Sequence, residues 1–355
     1  MGSVFWAVPL PFPEPPFMPV KRLALSSLLV AWCVACVACL QSAPVRAQPP
    51  EAPAPVVFAA FASPLEEPWN MVIHDALLAA MRGGRIRYTW KADLDSPTKI
   101  GAAIAAALPT KPDLVVADAT GAEQEIRLIA AAQPKISFLI GSAGEPAPPN
   151  LSVFDSDLAE PAYLCGLLAG QLTKSNVVGV VAGKSDPAVH RTVNAYLLGA
   201  RTANPAVKVK VDFIGSWFDP PKAREATLKQ IAAGADLIYA EREGAIAAAR
   251  ERGVLAFGNL IDQHAEAPDT VITGPVWNMT SLVDYVLKHA DADLVHSEKL
   301  LDFSTLARGG AALAPWHGWE EKLPAEVLEM VREQAAAIKS GRLTIDVGTE
   351  RPAGD

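Results

Sequence analysis

Three tryptophans in this chain each follow a short apolar run and stand among carboxylates or amides. Trp69 lies in Glu66-Glu67-Pro68-Trp69-Asn70, Trp217 in Gly215-Ser216-Trp217-Phe218-Asp219-Pro220, and Trp277 precedes Asn278. A flat ligand gains from stacking on an indole face, by about 1–3 kcal/mol per base in nucleic-acid systems. Carboxylates and amides after other apolar runs add polar partners. Asp118, Asn194, Glu241 and Asn259 can pair with ring nitrogens and exocyclic amines, and Asp262 with the hydroxyls of a ribose. Such groups discriminate strongly, because the wrong ligand leaves them buried and unpaired. Phe218 and Glu160 lie in the same kinds of loop, and His74, on the first helical stretch, is placed to face a ligand. These loops are acidic or neutral and carry no Arg cluster. The pattern therefore favours a neutral or weakly basic planar molecule over a phosphorylated one.

Known catalytic spacings are missing. Gly183-Lys184-Ser185 follows an apolar run and precedes a helical stretch, but Gly179 and Gly183 leave three residues between them where a phosphate loop needs four. There is no Gly-x-Gly-x-x-Gly fingerprint, no Gly-x-Ser-x-Gly elbow and no HExxH pair. His74, His190, His264, His289, His296 and His317 are scattered without zinc-type spacing. Asp155-x-Asp157 is the nearest approach to a metal-binding acidic loop, and two carboxylates alone do not make one. No cofactor, metal or catalytic residue is expected. The rival readings are a nucleoside-processing enzyme and a ligand-sensing module for a membrane receptor.

The elements that must position these residues alternate. Apolar runs at 56–62, 85–90, 113–117, 135–140, 151–154, 176–182, 207–214, 236–240, 254–257 and 271–276 predict strands. Ala-rich amphipathic stretches at 68–82, 97–108, 121–132, 159–173, 187–203, 221–234 and 243–252 predict helices between them. Strands alternating with helices of this length indicate parallel βαβ units, and the strands are β-branched with little polar alternation, as buried parallel strands are. About four units precede residue 157 and about four follow it. The fold class is α/β, with two doubly wound parallel sheets. Ligands of such sheets sit beyond the carboxyl ends of the strands, which is where the tryptophans and carboxylates fall.

With 355 residues, half of them hydrophobic, the chain is long enough for two domains. Its net charge of −8 and the lack of a basic stripe argue against nucleic acid as a partner. Lys21 and Arg22, an apolar run from Leu23 to Leu40, and Val45-Arg46-Ala47 before Gln48 have the order of a cleaved secretory leader. Translation is expected to start at Met18, with residues 1–17 an upstream extension. The apolar run also approaches the length of a spanning helix. Cys33, Cys36 and Cys39 fall inside it, and the residues before each fit a lipoprotein signal poorly. Cys165 is then the one cysteine of the mature chain and is expected in the core. Residues 48–55 read as a Pro-rich lead-in.

Several segments together resemble one family. They are Pro68-Trp69-Asn70; Glu160-Pro161-Ala162-Tyr163 through Gly166-Leu167-Leu168-Ala169-Gly170; Arg191-Thr192-Val193-Asn194-Ala195-Tyr196 with Gly199-Ala200-Arg201; Gly215 through Ala223; Gly234-Ala235-Asp236; and Gly253-Val254 with Gly258 and Asp262-Gln263. Their order and spacing are similar to those of the basic membrane proteins, substrate-binding proteins of ABC importers related to purine nucleoside receptors. The resemblance implies a type I periplasmic binding fold whose chain crosses between lobes three times. One lobe would comprise 48–157 and 270–290, the other 158–269 and 291–345, with a tail at 346–355. It implies a purine nucleobase or nucleoside between the lobes, near Trp69, Asn70, Asn194, Trp217 and Asp262. It also implies an inner-membrane permease as partner, a periplasmic location and a monomer. Asp118-Ala119-Thr120-Gly121 departs from the Gly- and Phe-rich stretch common at that loop.

Overall fold

A computed structural model of the protein describes residues 53–119, 121–290 and 297–355. The segment expected to be a leader, Thr120 and His296 lie outside the described residues, as does the side chain of His289.

The first lobe is a five-stranded parallel sheet in the order β2-β1-β3-β4-β5. Its strands are β1 (Val56–Ala60), β2 (Arg87–Lys91), β3 (Leu114–Asp118), β4 (Ser137–Gly141) and β5 (Leu151–Phe154). Side chains alternate across a strand, and both faces are buried. Val57 and Ala59 pack with Ile73 and Leu77 of α1 (Pro68–Arg82). Phe58 and Ala60 pack with Ile100 and Ile104 of α2 (Pro97–Ala107) and Ile126 of α3 (Glu123–Ala132).

The second lobe repeats the plan in the order β10-β9-β8-β6-β7. Its strands are β6 (Val177–Ala182), β7 (Lys208–Phe213), β8 (Leu237–Ala240), β9 (Leu255–Phe257) and β10 (Val271–Thr273). Val178 and Val180 face α4 (Ala159–Leu172) and α5 (Pro187–Ala203); Val181 and Ile238 face α6 (Pro220–Ala232) and α7 (Ala245–Arg252). Cys165 is fully buried in α4. That helix packs directly on α5: a Cβ at Gly166 would fall 2.1 Å from Tyr196 O, and one at Gly199 2.1 Å from Tyr163 O.

Helix starts follow capping chemistry. Glu67, Ser96, Asp186 and Asp219 each accept a backbone N–H of the first turn from the N-cap position, and proline follows each. The expected strands and helices match within a few residues, except that the 271–276 run divides into two strands. A Cβ at Gly274 would meet Gly258 O at 2.5 Å, so the backbones touch there.

The lobe boundaries differ from expectation in three places. Val271–Thr273 stays in the second lobe, paired with β9. The chain crosses only through β11 (Pro275–Trp277), and α8 (Thr280–Ala290) then joins the first core through Leu282, Val283 and Leu287. Residues 298–300 also remain with the first lobe, because β5 has an open flank: Val153 N–H donates to Glu298 O at 2.9 Å and Leu300 N–H to Val153 O at 2.8 Å. The return runs through β12 (Ala311–Leu313), antiparallel to β11, to α9 (Ala325–Lys339) on the second core. Finally, residues 346–355 are strapped to the second lobe. Asn194 Nδ2 donates to Gly348 O and Glu350 O, both at 2.9 Å, and Asp355 exchanges backbone and carboxylate bonds with Val209.

Candidate functional site

The carboxyl ends of both sheets open onto one cavity of about 330 Å³. This is the position expected for doubly wound sheets and lies within the usual ~300–1,000 Å³ of ligand pockets. From the first lobe come Ser63, Glu67, Trp69, Asp118, Ser142 and Asp155; from the second come Asp186, Thr192, Trp217, Glu241, Arg242 and Asn259. Asp155 directly follows β5 at the first crossing, so its side chain serves the cavity while its backbone belongs to the hinge.

Trp69 is held flat. Its ring stacks on Phe154 with centroids 5.7 Å apart and planes 9° apart, and on Trp277 at 5.7 Å and 26°. Gly141 makes room for it, since a Cβ there would fall 2.3 Å from the indole. Trp217 comes from the β7–α6 loop, with the Lys184 ammonium 5.4 Å and the Arg242 guanidinium 5.2 Å from its ring centre. Its Nε1–H is buried with no hydrogen-bond partner in the protein.

A buried charge group spans the lobes. Arg242, 6% exposed, reaches Glu241 at 3.0 Å and Glu67 of the other lobe at 3.4 Å. Glu241 Oε2 accepts the Gly183 N–H at 2.8 Å. Asn259 Nδ2 lies 3.4 Å from Glu241 Oε1, and its Oδ1 accepts from Tyr239 Oη at 2.7 Å. Burial raises the Glu241 carboxyl above its ordinary value, with Arg242 and Gly183 N–H drawing it part of the way back. Burial likewise pushes Asp155 up to about 7, helped by Asp186, Asp157 and Asp118 and opposed by the Ser156 N–H. Glu243, behind Arg242, is also pushed up to about 7 by burial. The lining is thus rich in carboxylates and holds one guanidinium that is already paired.

Of the residues singled out in the sequence, Trp69, Asp118, Trp217, Glu241 and Asn259 line this cavity. Others serve its walls. Asn70 donates to Ser63 O and Pro64 O and shapes the β1–α1 loop. Glu160 Oε2 accepts the Leu306 N–H across the third crossing. Trp277 lies behind Trp69 and donates to Ser304 Oγ at 2.9 Å. The rest are elsewhere. His74 bonds the Tyr88 hydroxyl at 3.0 Å and packs on Trp90. Asn194 is turned to the tail. Phe218 is exposed, and Asp262 pairs with His317 at 2.6 Å. Asp157 is bound by Arg191 and accepts the Ala159 N–H, so its oxygens are engaged away from the cavity. Glu67, Asp155, Asp186, Thr192 and Arg242 were not singled out as ligand residues. Glu67 and Asp186 had a signal, an acid before proline at a helix start directly after a strand. Among the described residues, no cluster of three or more His, Cys, Asp or Glu could hold a metal ion, and no helix is long and apolar enough to cross a membrane.

Two parallel α/β lobes joined by three crossings, with a lined cleft between them, define the type I periplasmic binding fold. A solved ABC transporter solute-binding protein from Conexibacter woesei shares it with a TM-score of 0.67 at 21% identity, over 83% of this chain and 99% of that one. Residues 66–298 match the family described as ABC transporter substrate-binding protein PnrA-like, and the chain belongs to that family, whose members include the basic membrane proteins. A purine-binding protein of Brucella abortus is 29% identical over 254 residues, covering 64% of this chain and 70% of its own. A candidate ABC transporter glucose-binding protein of Haloferax volcanii is 36% identical over 133 residues, 37% of this chain and 34% of that one.

Proposed function

We propose that the protein is a periplasmic receptor that binds a purine nucleobase or nucleoside between its lobes and presents it to an ABC permease, without catalysis. The observation that carries this reading is the convergence of Trp69 and Trp217, from opposite lobes, on one cavity whose polar lining is mostly carboxylates and hydroxyls, with the Asn259 amide and the paired Arg242. The indole faces suit a planar ring. Asp118, Asp155 and Asp186 suit exocyclic amines or ribose hydroxyls, and the unpartnered Trp217 Nε1–H suits a ring nitrogen or carbonyl. Ligand contacts to both lobes would favour the closed arrangement. The purine-binding relative supports the same ligand class.

The partial relative named for glucose supplies a second reading, since an aromatic face with carboxylates also suits a sugar. A thermal-shift and calorimetric screen of the chain from Gln48 against nucleobases, nucleosides, sugars and amino acids separates the two. A purine at 100 times its Kd should stabilise the fold by about 2.7 kcal/mol. A response confined to sugars or amino acids would remove the purine assignment. Trp217→Ala is expected to weaken purine binding by about 1–3 kcal/mol, the worth of one stacked base; unchanged affinity in titration calorimetry would show that the ring lies elsewhere.

A further inference from the structure

We propose that Glu241 is the selectivity residue that keeps phosphorylated and other anionic ligands out of the cleft, because its own carboxylate takes the place an anion would occupy. This rests on reading the cleft as the ligand site and adds the charge class that the site refuses.

The surroundings of Glu241 are those of an anion site. The Gly183 N–H points out of a loop between a strand end and the start of α5, a place where backbone donors collect and anions bind. The Arg242 guanidinium is buried beside it, and the Asn259 amide completes a third side. Such a set of donors suits a phosphate or carboxylate. Here Oε2 of Glu241 accepts from Gly183 N at 2.8 Å, while Oε1 meets Arg242 Nη2 at 3.0 Å and Asn259 Nδ2 at 3.4 Å. The second arm of the guanidinium faces Glu67 of the opposite lobe. Both terminal nitrogens of the cleft's guanidinium are therefore engaged by carboxylates of the chain itself, and only its Nε–H, buried against the Gly183 loop, has no partner.

This arrangement explains why Gly183-Lys184-Ser185 resembles a phosphate loop without being one. Gly183 is needed for a different reason: a Cβ there would fall 2.5 Å from Arg242 Nε. It lets the guanidinium lie against the loop, where it holds Glu241. An incoming phosphate would have to displace a buried, hydrogen-bonded carboxylate or sit beside it unpaired, in a cavity also lined by Asp118, Asp155 and Asp186. Like charges set together in this way oppose association. A neutral nucleobase or nucleoside meets no such opposition.

The test is calorimetric titration of the whole protein, its Glu241→Ala variant and its Glu67→Gln variant with inorganic phosphate, AMP and adenosine. Wild type should give no heat with phosphate and should prefer adenosine to AMP. Glu241→Ala exposes Gly183 N–H and Arg242 together, so it should bind phosphate and shift the AMP-to-adenosine affinity ratio toward AMP by at least about tenfold. Glu67→Gln releases one arm of the same guanidinium from the other lobe and should shift that ratio in the same direction by less; it keeps the inference testable should Glu241→Ala fail to fold by circular dichroism. Equal wild-type affinity for AMP and adenosine would overturn the proposal. So would a folded Glu241→Ala with no gain of phosphate binding. If wild type and variants ignore adenosine, the purine reading falls, and the phosphate arm still decides the role of Glu241.

Discussion

At the residue scale, burial raises the carboxyl of Asp155 at the cleft and of Glu243 beside Arg242, which makes stability depend on pH. Asp155 titrates at about 7 in the folded protein, against about 3.9 in an unfolded chain. The folded state holds this proton more tightly, so the carboxyl supports folding fully below about pH 4 and loses that support as pH rises through about 7. Glu243 follows the same course for the same reason. Asp155→Asn is therefore expected to raise the Tm relative to wild type at pH 8, with the gain shrinking toward pH 4. Adding Glu243→Gln should flatten the profile further. Scanning calorimetry of the three proteins from pH 4 to 8 checks this; a Tm difference that does not vary with pH would sink it. The residues that made this site legible in the sequence were aromatics and carboxylates directly after strands, such as Trp69, Trp217 and Glu241. Asn194 was misread because its helix does border the cavity through Val189 and Thr192, while its own amide faces the other way, toward a segment more than 150 residues distant. Sequence spacing gives the helix face only when the partner of each face is known.

At the scale of elements, the α4–α5 pair carries the second lobe's wall of the cleft. Gly166 and Gly199 let each helix lay its backbone against the other. A methyl group at either must push the helices apart and move Asp186, Val189 and Thr192 with them. Gly199→Ala should thus lose about 1–3 kcal/mol, the usual cost of overpacking a closed core, in a urea unfolding curve. A loss within error of zero would mean that the contact is looser than described. Both glycines belong to segments that carried the family resemblance, and the packing gives the physical reason for them. Most elements could be read from the chain because apolar runs and cap-proline pairs such as Asp186-Pro187 and Asp219-Pro220 mark their starts. α9 gave no such signal: Pro324 precedes it with no side-chain cap, and its apolar stripe has meaning only against the second core.

For the whole molecule, the three crossings are tied to one another. Ser304 Oγ–H donates to Asp155 O at 2.6 Å and the same oxygen accepts the Trp277 Nε1–H at 2.9 Å. One hydroxyl joins a residue from each crossing region, and the Trp277 ring carries the link to Trp69 in the cleft. Ser304→Ala leaves a buried indole N–H unpaired and should cost about 1–3 kcal/mol. Trp277→Phe removes the donor while keeping a ring, so the double variant should cost less than the sum of the two singles. Additive costs in a calorimetric double-mutant cycle would show that the two groups are not coupled. The crossings were the least legible part of the fold. Strand signals at 271–276 gave no hint of the break at Gly274, because that break comes from a backbone contact with Gly258, and no local pattern encodes a contact between two glycines.

The segments that return late in the chain have one more effect. Residues 298–300 lie along β5 and the 354–355 stretch lies along β7, so the edge N–H and C=O groups of Val153 and of Val209 are spoken for. Open rows of that kind recruit strands from other molecules. With each edge interrupted in this way, crowding the protein to high concentration gives neighbouring copies shorter backbone templates to zip onto, which favours dispersed molecules over fibrous or ribbon-like association.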